Sequence, residues 1–337
     1  MGSTHLLVTG GCGFIASNFI RYMLSRYHYH IINIDKLTYA GNPENLKEIE
    51  GDKRYTFIKG DIASEADLEK AFEQEIDMVI NFAAESHVDR SIMAPDTFIR
   101  TNIYGTFALL EMSRKRNVKR YIQVSTDEVY GSLGKEGKFK EDTPLSPNSP
   151  YSASKASADM LVMAYYRTYH MPVIITRCSN NYGPFQFPEK LIPLMVTNAL
   201  VNEELPVYGD GMNIRDWIHV LDHCEALDLV LHKGRVGEVY NVGGENERTN
   251  IEIVKLILSI LGKSEGLIKF ITDRPGHDRR YAIDSAKIKN ELGFKPKTDF
   301  TEGIKETIEW YIKNVEWWKR IKTGEYLKYY EAQYRNR

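Results

Sequence analysis

Tyr151 and Lys155 stand four residues apart in a stretch of helical pattern, so they share one helix face. An ammonium beside a phenol favours the phenolate and lowers its pKa. A phenolate can take the proton of a sugar hydroxyl while hydride leaves the same carbon. Upstream, an apolar run closes on Ser125-Thr126-Asp127-Glu128-Val129-Tyr130-Gly131. Thr126 can bond the hydroxyl that Tyr151 deprotonates. Elimination of water needs a base for a carbon-bound proton and an acid for the departing hydroxyl. Asp127 and Glu128 can divide those tasks where their surroundings separate their pKa values.

A second constellation lies at the N-terminus. Gly10-Gly11-Cys12-Gly13-Phe14-Ile15-Ala16 falls between an apolar run and a helical pattern and fits G-x-G-x-x-A. Gly10 and Gly13 allow a tight turn and close approach of the backbone to a pyrophosphate, and the helix start offers N–H groups and a positive dipole end. Asp35 follows Gly13 by 22 residues, at the end of the next apolar run. A carboxylate there can bond both ribose hydroxyls of an adenosine and repels a 2′-phosphate, which favours NAD over NADP. Lys36, next to it, works against that preference. Asp61, ending the third run, can bond the adenine amino group. With a dinucleotide present, Lys155 can also hold the nicotinamide ribose.

These groups need a scaffold that gathers them. Apolar runs at His5–Thr9, His30–Asp35, Tyr55–Lys59, Asp77–Ala83, Arg120–Thr126 and Pro172–Arg177 are continuous, as buried parallel strands are. Helical patterns at Phe14–Arg26, Ala63–Gln74, Pro95–Arg116 and Ser149–His170 separate them. This predicts an α/β fold, a doubly wound parallel sheet whose ligands lie at the C-terminal strand ends. Beyond Asn180 the rhythm loosens. Helices are expected at Lys190–Val201, Thr249–Leu261 (capped by Thr249 or Asn250) and 301–318, with short strands at Pro206–Tyr208 and Glu238–Val242. A dinucleotide domain over 1–179 is therefore expected, joined by a strand or helix returning from the second half. A smaller α/β substrate lobe is expected mainly over 180–337.

The chain has 337 residues with 44 basic and 46 acidic side chains, a net charge of −2. That balance, with no basic stripe, excludes a general drive toward nucleic acid or anionic membrane. No apolar run is long enough to span a bilayer, and the start lacks the pattern of a signal peptide. Cys12, Cys178 and Cys224 are too scattered for a disulfide framework or a metal site. A cytoplasmic setting is expected, the cysteines are read as buried fillers, and Trp217, Trp310, Trp317 and Trp318 as packing residues.

Together these motifs resemble the extended short-chain dehydrogenase/reductase superfamily and, within it, the 4,6-dehydratases of glucose nucleotides. The resemblance runs nearly end to end. It is carried by Ala83-Ala84-Glu85-Ser86-His87-Val88-Asp89-Arg90-Ser91, Thr126 to Gly131, Tyr151-Ser152-Ala153-Ser154-Lys155, Arg177 to Pro184 and Arg274-Pro275-Gly276-His277-Asp278-Arg279-Arg280-Tyr281. It implies a Rossmann fold and an internal redox cycle. Hydride passes from sugar C4 to tightly bound NAD⁺ while Tyr151 takes the hydroxyl proton. Glu128 removes the C5 proton, Asp127 protonates the leaving C6 hydroxyl, and hydride returns to C6. The implied substrate is dTDP-glucose, with UDP-glucose as the alternative base. A 4-epimerase or decarboxylase using the same cofactor is a further alternative, and a non-catalytic NAD sensor a distant one. Epimerase relatives usually lack the acid pair, and relatives acting on GDP-mannose or UDP-glucuronate carry Ser before the Glu.

The resemblance assigns Phe14, Ile15, Asp35, Lys36, Leu37, Thr38, Asp61, Ile62, Ala83, Ala84, Thr101, Tyr151, Lys155 and Asn181 to the cofactor. It assigns Ser86, Thr126, Asp127, Glu128, Asn180, Lys190, Leu191, Pro206, Val207, Tyr208, Arg215, Asn250, Asp273, Arg274, Pro275, Gly276 and His277 to the substrate. Lys190, Arg215 and Arg274 suit a diphosphate, since a guanidinium grips phosphate in two places. Tyr208 suits stacking on the base. The resemblance also implies a homodimer through the helices over 95–116 and 150–169.

Overall fold

A computed structural model describes residues 4–335. The apolar runs of the first half form strands β1 (His5–Thr9), β2 (His30–Asp35), β3 (Tyr55–Lys59), β4 (Met78–Asn81), β5 (Arg120–Thr126) and β6 (Val173–Cys178). The second half contributes β7 (Asn180–Tyr182), β8 (Leu205–Tyr208), β9 (Ile214–His219), β10 (Val239–Val242), β11 (Glu247–Thr249) and β12 (Ile268–Ile271). Seven of these make one parallel sheet in the order β10-β6-β5-β4-β1-β2-β3. Its inner strands are buried on both faces, which is why their sequences read as unbroken apolar runs.

The chain winds outward from β1 in one direction and from β4 in the other. A crevice therefore opens between the C-terminal ends of β1 and β4, the switch point where ligands of doubly wound sheets bind. A buried polar chain fastens the strands below it. Thr9 Oγ1 donates to Asn81 Oδ1 at 2.6 Å, and Asn81 Nδ2 donates to Gln123 Oε1 at 2.9 Å. Thr9 Oγ1 also accepts from the N–H of Ala83 at 3.1 Å, fixing the chain just past β4.

The helix Phe14–Arg26 starts on Gly13 and buries Ala16, Phe19, Ile20, Met23 and Leu24. The helix Pro150–Tyr169 starts on a reciprocal Ser149–Ser152 capping box with Pro150 in its first turn, and ends on His170 in the left-handed conformation. The helix expected over 95–116 is interrupted. Pro95–Phe98 and Thr106–Lys115 are α-helical, but Ile99–Gly105 winds as a π-helix. Asn102, in that wide turn, accepts from the N–H of Glu85 at 2.9 Å and donates to the Glu85 carbonyl at 3.0 Å and to Ser154 Oγ at 2.8 Å. Those bonds tie the segment after β4 to the helix of Tyr151.

The second half returns β10 to the sheet edge. It also returns an unexpected helix, Val220–Lys233, whose Cys224, Ala226, Leu227, Val230 and Leu231 join the core beneath Phe14–Arg26. Much of the rest of the second half builds a separate apolar core. It contains the two small sheets β11-β9-β7 and β12-β8, with helices Leu191–Leu200, Asn250–Leu261 and Phe300–Lys313. Thr249, not Asn250, caps the Asn250–Leu261 helix through a capping box with Glu252. The helix expected over 301–318 breaks at Asn314, whose side chain donates back to the Trp310 carbonyl, and resumes as Val315–Ile321. Among the described residues no helix is long and apolar enough to cross a membrane.

Candidate active site

A cavity of about 340 Å³ follows the crevice along the ends of β1, β4, β5 and β6. At one end it is lined by Gly10, Gly13, Phe14, Ile15, Asp35, Lys36, Thr38, Asp61 and Ile62. At the other it is lined by Thr126, Asp127, Glu128, Tyr151, Lys155, Asn180, Asn181, Lys190 and Leu191, with Ala83, Ala84, Ser86 and Thr101 between. The glycine turn, the Tyr–Lys pair and the acid pair, drawn from three separate stretches of chain, thus face one volume.

The cavity's first end fits a dinucleotide. Gly10 has φ +68°, and a Cβ there would lie 2.8 Å from Ala83 Cα, so the turn and the end of β4 meet without side-chain bulk. Asp35 is buried, and its carboxylate accepts from the N–H of Cys12 at 2.8 Å and of Leu37 at 2.7 Å. The same group that faces the cavity therefore also folds the turn. Burial raises its pKa, and those two N–H bonds counter the rise. Lys36 already has a partner: its Nζ lies 2.9 Å from Asp61 Oδ2. Leu37 lies elsewhere than expected. With φ +57° it leaves the lining and packs on the core of the sheet, so its contribution is the N–H held by Asp35.

At the chemical end, Asp127 is 1% exposed and its Oδ2 has no hydrogen-bond partner. Burial holds its carboxyl well above the ordinary range, Glu128 and Asp216 push it further, and Arg215 opposes. Glu128 is half-buried, and burial raises it too, but Arg274, Arg215 and Lys190 all pull it back. The adjacent carboxyls thus live in different fields, one buried and crowded by anions, the other ringed by three cations.

Tyr151 is buried, and burial lifts its phenol well above the usual value. Glu128, Cys178 and Asp127 add to that rise, and a hydrogen bond with Thr126 opposes it. The lowering expected from Lys155 is not among the main influences on this phenol, which desolvation dominates. Lys155 is buried as well and donates to the Val124 carbonyl at 2.7 Å.

The remaining expected substrate residues do not line this cavity. They gather in the second-half lobe beside it. Lys190, which does line it, donates to the Ser86 carbonyl at 2.8 Å. Arg215 donates to the carbonyls of Ile214 at 2.8 Å and Asp278 at 2.9 Å, and its guanidinium lies 4.3 Å from the Tyr281 ring centre. Arg274 Nη1 lies 3.6 Å from Asp89, and its buried Nε has no partner. Tyr208 donates to Asp89 Oδ2 at 3.1 Å and has an edge contact with His277, which is held by Asp273 at 2.6 Å. Pro206 and Val207 are buried, Val207 within the lobe's core. Gly276 has φ +65°, next to Pro275, and Asn250 Oδ1 is buried without a partner.

Several groups escaped the sequence reading. Trp217, expected to pack only, lines the cavity with a partnerless buried Nε1, and Cys178 lines it too. Asp89 links Tyr208 to Arg274. Gln333 Nε2 donates to Tyr208 OH at 2.6 Å, and Tyr334 packs its ring against Tyr208. No local spacing signals these, because each partner comes from a distant part of the chain.

Residues 7–307 match the family model described as GDP-mannose 4,6 dehydratase. The chain is 53% identical to the dTDP-glucose 4,6-dehydratase of Xanthomonas campestris pv. campestris (strain B100), over 95% of this chain and 96% of that one. The chain belongs to the dTDP-glucose 4,6-dehydratase family. Two solved structures of such dehydratases resemble it closely. That from Bacillus anthracis str. Ames, in complex with NAD, is 57% identical with a TM-score of 0.89 and covers 95% of this chain and 100% of its own. That from Streptomyces venezuelae, with NAD bound, is 48% identical with a TM-score of 0.93 and the same coverage. In this 4,6-dehydratase fold the acid pair therefore stands on the sheet's ligand edge beside the Tyr–Lys pair.

Proposed function

We propose that this chain is an NAD-dependent hydro-lyase that converts dTDP-glucose to dTDP-4-keto-6-deoxyglucose and water. The observation that carries the reading is the single cavity in which the glycine turn, Tyr151, Lys155 and two carboxyls in unlike fields meet. Bound NAD⁺ supplies a reversible hydride store, and its positively charged ring favours the Tyr151 phenolate.

The chain's own groups carry the proton traffic. Tyr151, bonded to Thr126, accepts the C4 hydroxyl proton during oxidation at C4. The resulting ketone acidifies C5–H. Glu128 suits the base, since three nearby cations favour its carboxylate. Asp127 suits the acid, since burial favours its protonated form, and it delivers that proton to the departing C6 hydroxyl. Reduction at C6 is matched by return of the Glu128 proton to C5, and the proton gained by Tyr151 replaces the one Asp127 gave up, so the site returns to its starting state and no outside reductant is consumed. Lys155 holds the nicotinamide ribose and favours the phenolate. Asp35 holds the adenosine ribose, and Gly10 and Gly13 admit the pyrophosphate. Lys190, Arg215 and Arg274 face the substrate diphosphate, and Tyr208 its base.

We further read residues 1–179 as the cofactor half and 180–337 as mainly the nucleotide-sugar half, in a cytoplasmic homodimer. Exposed apolar side chains on the two expected contact helices support the dimer. Ile99, Tyr104 and Phe107 lie on one, and Met160 and Tyr169 on the other.

Incubation with dTDP-glucose and, separately, UDP-glucose at equal concentration tests the reading. A 4-keto-6-deoxy product absorbing in alkali, formed faster from dTDP-glucose, is expected. A galactose-type product would instead assign the chain to 4-epimerisation.

A further inference from the structure

Helix Pro150–Tyr169 turns three ionisable side chains inward at four-residue intervals, Tyr151, Lys155 and Asp159, all buried. The first two belong to the site described above. Asp159 is 1% exposed and does not line the cavity. Its Oδ2 accepts from Arg177 Nε at 2.8 Å. Arg177, on β6, is itself pinned. Its Nη1 donates to Tyr130 OH at 2.9 Å, and that hydroxyl donates to Asn241 Oδ1 at 2.8 Å on β10. Asp159 Oδ1 is buried without a hydrogen-bond partner.

A buried ion pair is a weak stabiliser, because desolvation offsets most of the attraction. Its position suggests another use. Residues four apart on a helix are neighbours, so Asp159 sits one turn beyond Lys155 on the same face. The Lys155 ammonium itself donates to a neutral acceptor, the Val124 carbonyl.

We propose that Asp159, fixed by Arg177, is a positioning residue for the reaction, supplying the counter-charge for the buried Lys155 ammonium. The proposal rests on the role given to Lys155 under the proposed function. Burial draws the Lys155 pKa down, and Asp159 is the foremost influence opposing it, ahead of Cys178. Tyr151 and Asp127 line the same cavity as Lys155, Arg177 is held by Asp159, and Cys178 on β6 is the other ionisable group acting on the ammonium. Burial lifts the Cys178 thiol to about 12, so it stays neutral at working pH. Burial likewise favours the neutral form of Asp127. Asp159 is left as the counter-charge.

Asp159→Asn tests this through the pH dependence of dTDP-glucose turnover by the NAD-loaded enzyme. Without the carboxylate, Lys155 loses its proton at lower pH. The alkaline limb of kcat is expected to move down by about one pH unit with KM little changed. An unmoved limb would overturn the proposal, even if the variant melts earlier, since a merely structural pair changes stability alone. If Asp159→Asn fails to fold because Arg177 is left unpaired, Asp159→Asn combined with Arg177→Gln removes both charges. A lowered limb there supports the proposal and a parental limb overturns it. Lys155→Met separates the two levels. If that variant turns over at the parental rate, the role of Lys155 itself falls. If it is inactive while the Asp159 variants keep the parental limb, only the counter-charge is wrong.

Discussion

The Lys36 ammonium lies 2.9 Å from Asp61 Oδ2, at the end of the cavity where Asp35 stands. The cation next to Asp35 is thereby paired with a carboxylate. Two acids, Asp35 and Asp61, then face the adenosine end. NAD should bind at least tenfold more tightly than NADP. Asp61→Asn releases Lys36 and removes one negative charge, so it should narrow that ratio, mainly by improving NADP binding. Titration of both cofactors by fluorescence checks this. An unchanged ratio would mean that Lys36 does not reach the 2′ position even when free.

The acid pair makes a second prediction. Glu128→Gln should still oxidise C4, seen as transient absorbance of reduced cofactor on mixing with dTDP-glucose. It should lose exchange of C5–H with solvent deuterium by about a hundredfold or more, the usual contribution of a general base. Asp127→Asn should show the converse pattern, with exchange retained and water loss slowed. Undiminished exchange in Glu128→Gln would remove it from the role of base.

Asp127 also links the site to stability. Its pKa is raised in the folded chain by burial, with Glu128 and Asp216 adding. Between the ordinary carboxyl range and that raised value the folded state binds more protons than the unfolded one. Its contribution to stability is therefore fully present below the ordinary carboxyl pKa and is lost as pH rises through the raised one. Asp127→Asn has no proton to lose. It should melt above the parent at neutral pH, by about 2 °C or more, with the gap closing toward acid pH. Scanning calorimetry across that range tests it. A gap that widens toward acid would show that Asp127 is ionised in the fold.

Much of the first half was legible because its physics is local. Each buried parallel strand is an apolar run, and Gly10, Gly13 and Asp35 keep fixed spacings relative to those runs. The helix Val220–Lys233 was not legible, because its buried face carries Asp222, His223 and Asp228. Each has a partner far along the chain, although His223 Nε2 has none. Asp222 accepts from the N–H of Thr298, His223 pairs with Asn181, and Asp228 accepts from Tyr22 and Tyr27. A polar residue whose partner lies many residues away looks like a solvent face in sequence. The same holds for Asp89, which meets Tyr208 across 119 residues. Lys155 illustrates a different gap. Its spacing from Tyr151 was readable, but the burial that raises the phenol and lowers the ammonium was not.

The glycine turn supports a final prediction, because its two outer glycines are constrained differently. Gly10 has φ +68°, and an added Cβ would stand 2.8 Å from Ala83 Cα and 2.9 Å from Ala83 N, which are backbone atoms and cannot swing aside. Gly13 has φ −77°, and an added Cβ would meet the Gly10 carbonyl oxygen at 3.2 Å. Gly10→Ala should therefore force β1 and β4 apart at the switch point. The left-handed backbone alone costs about 1–2 kcal/mol, and the clash adds to it. Its melting temperature should fall with or without added NAD. Gly13→Ala should fold nearly as the parent but bind NAD more weakly, since the new methyl stands where the pyrophosphate approaches. Melting curves with and without NAD separate the two. Equal losses of stability in both variants would show that backbone geometry at Gly10 is not what the turn depends on.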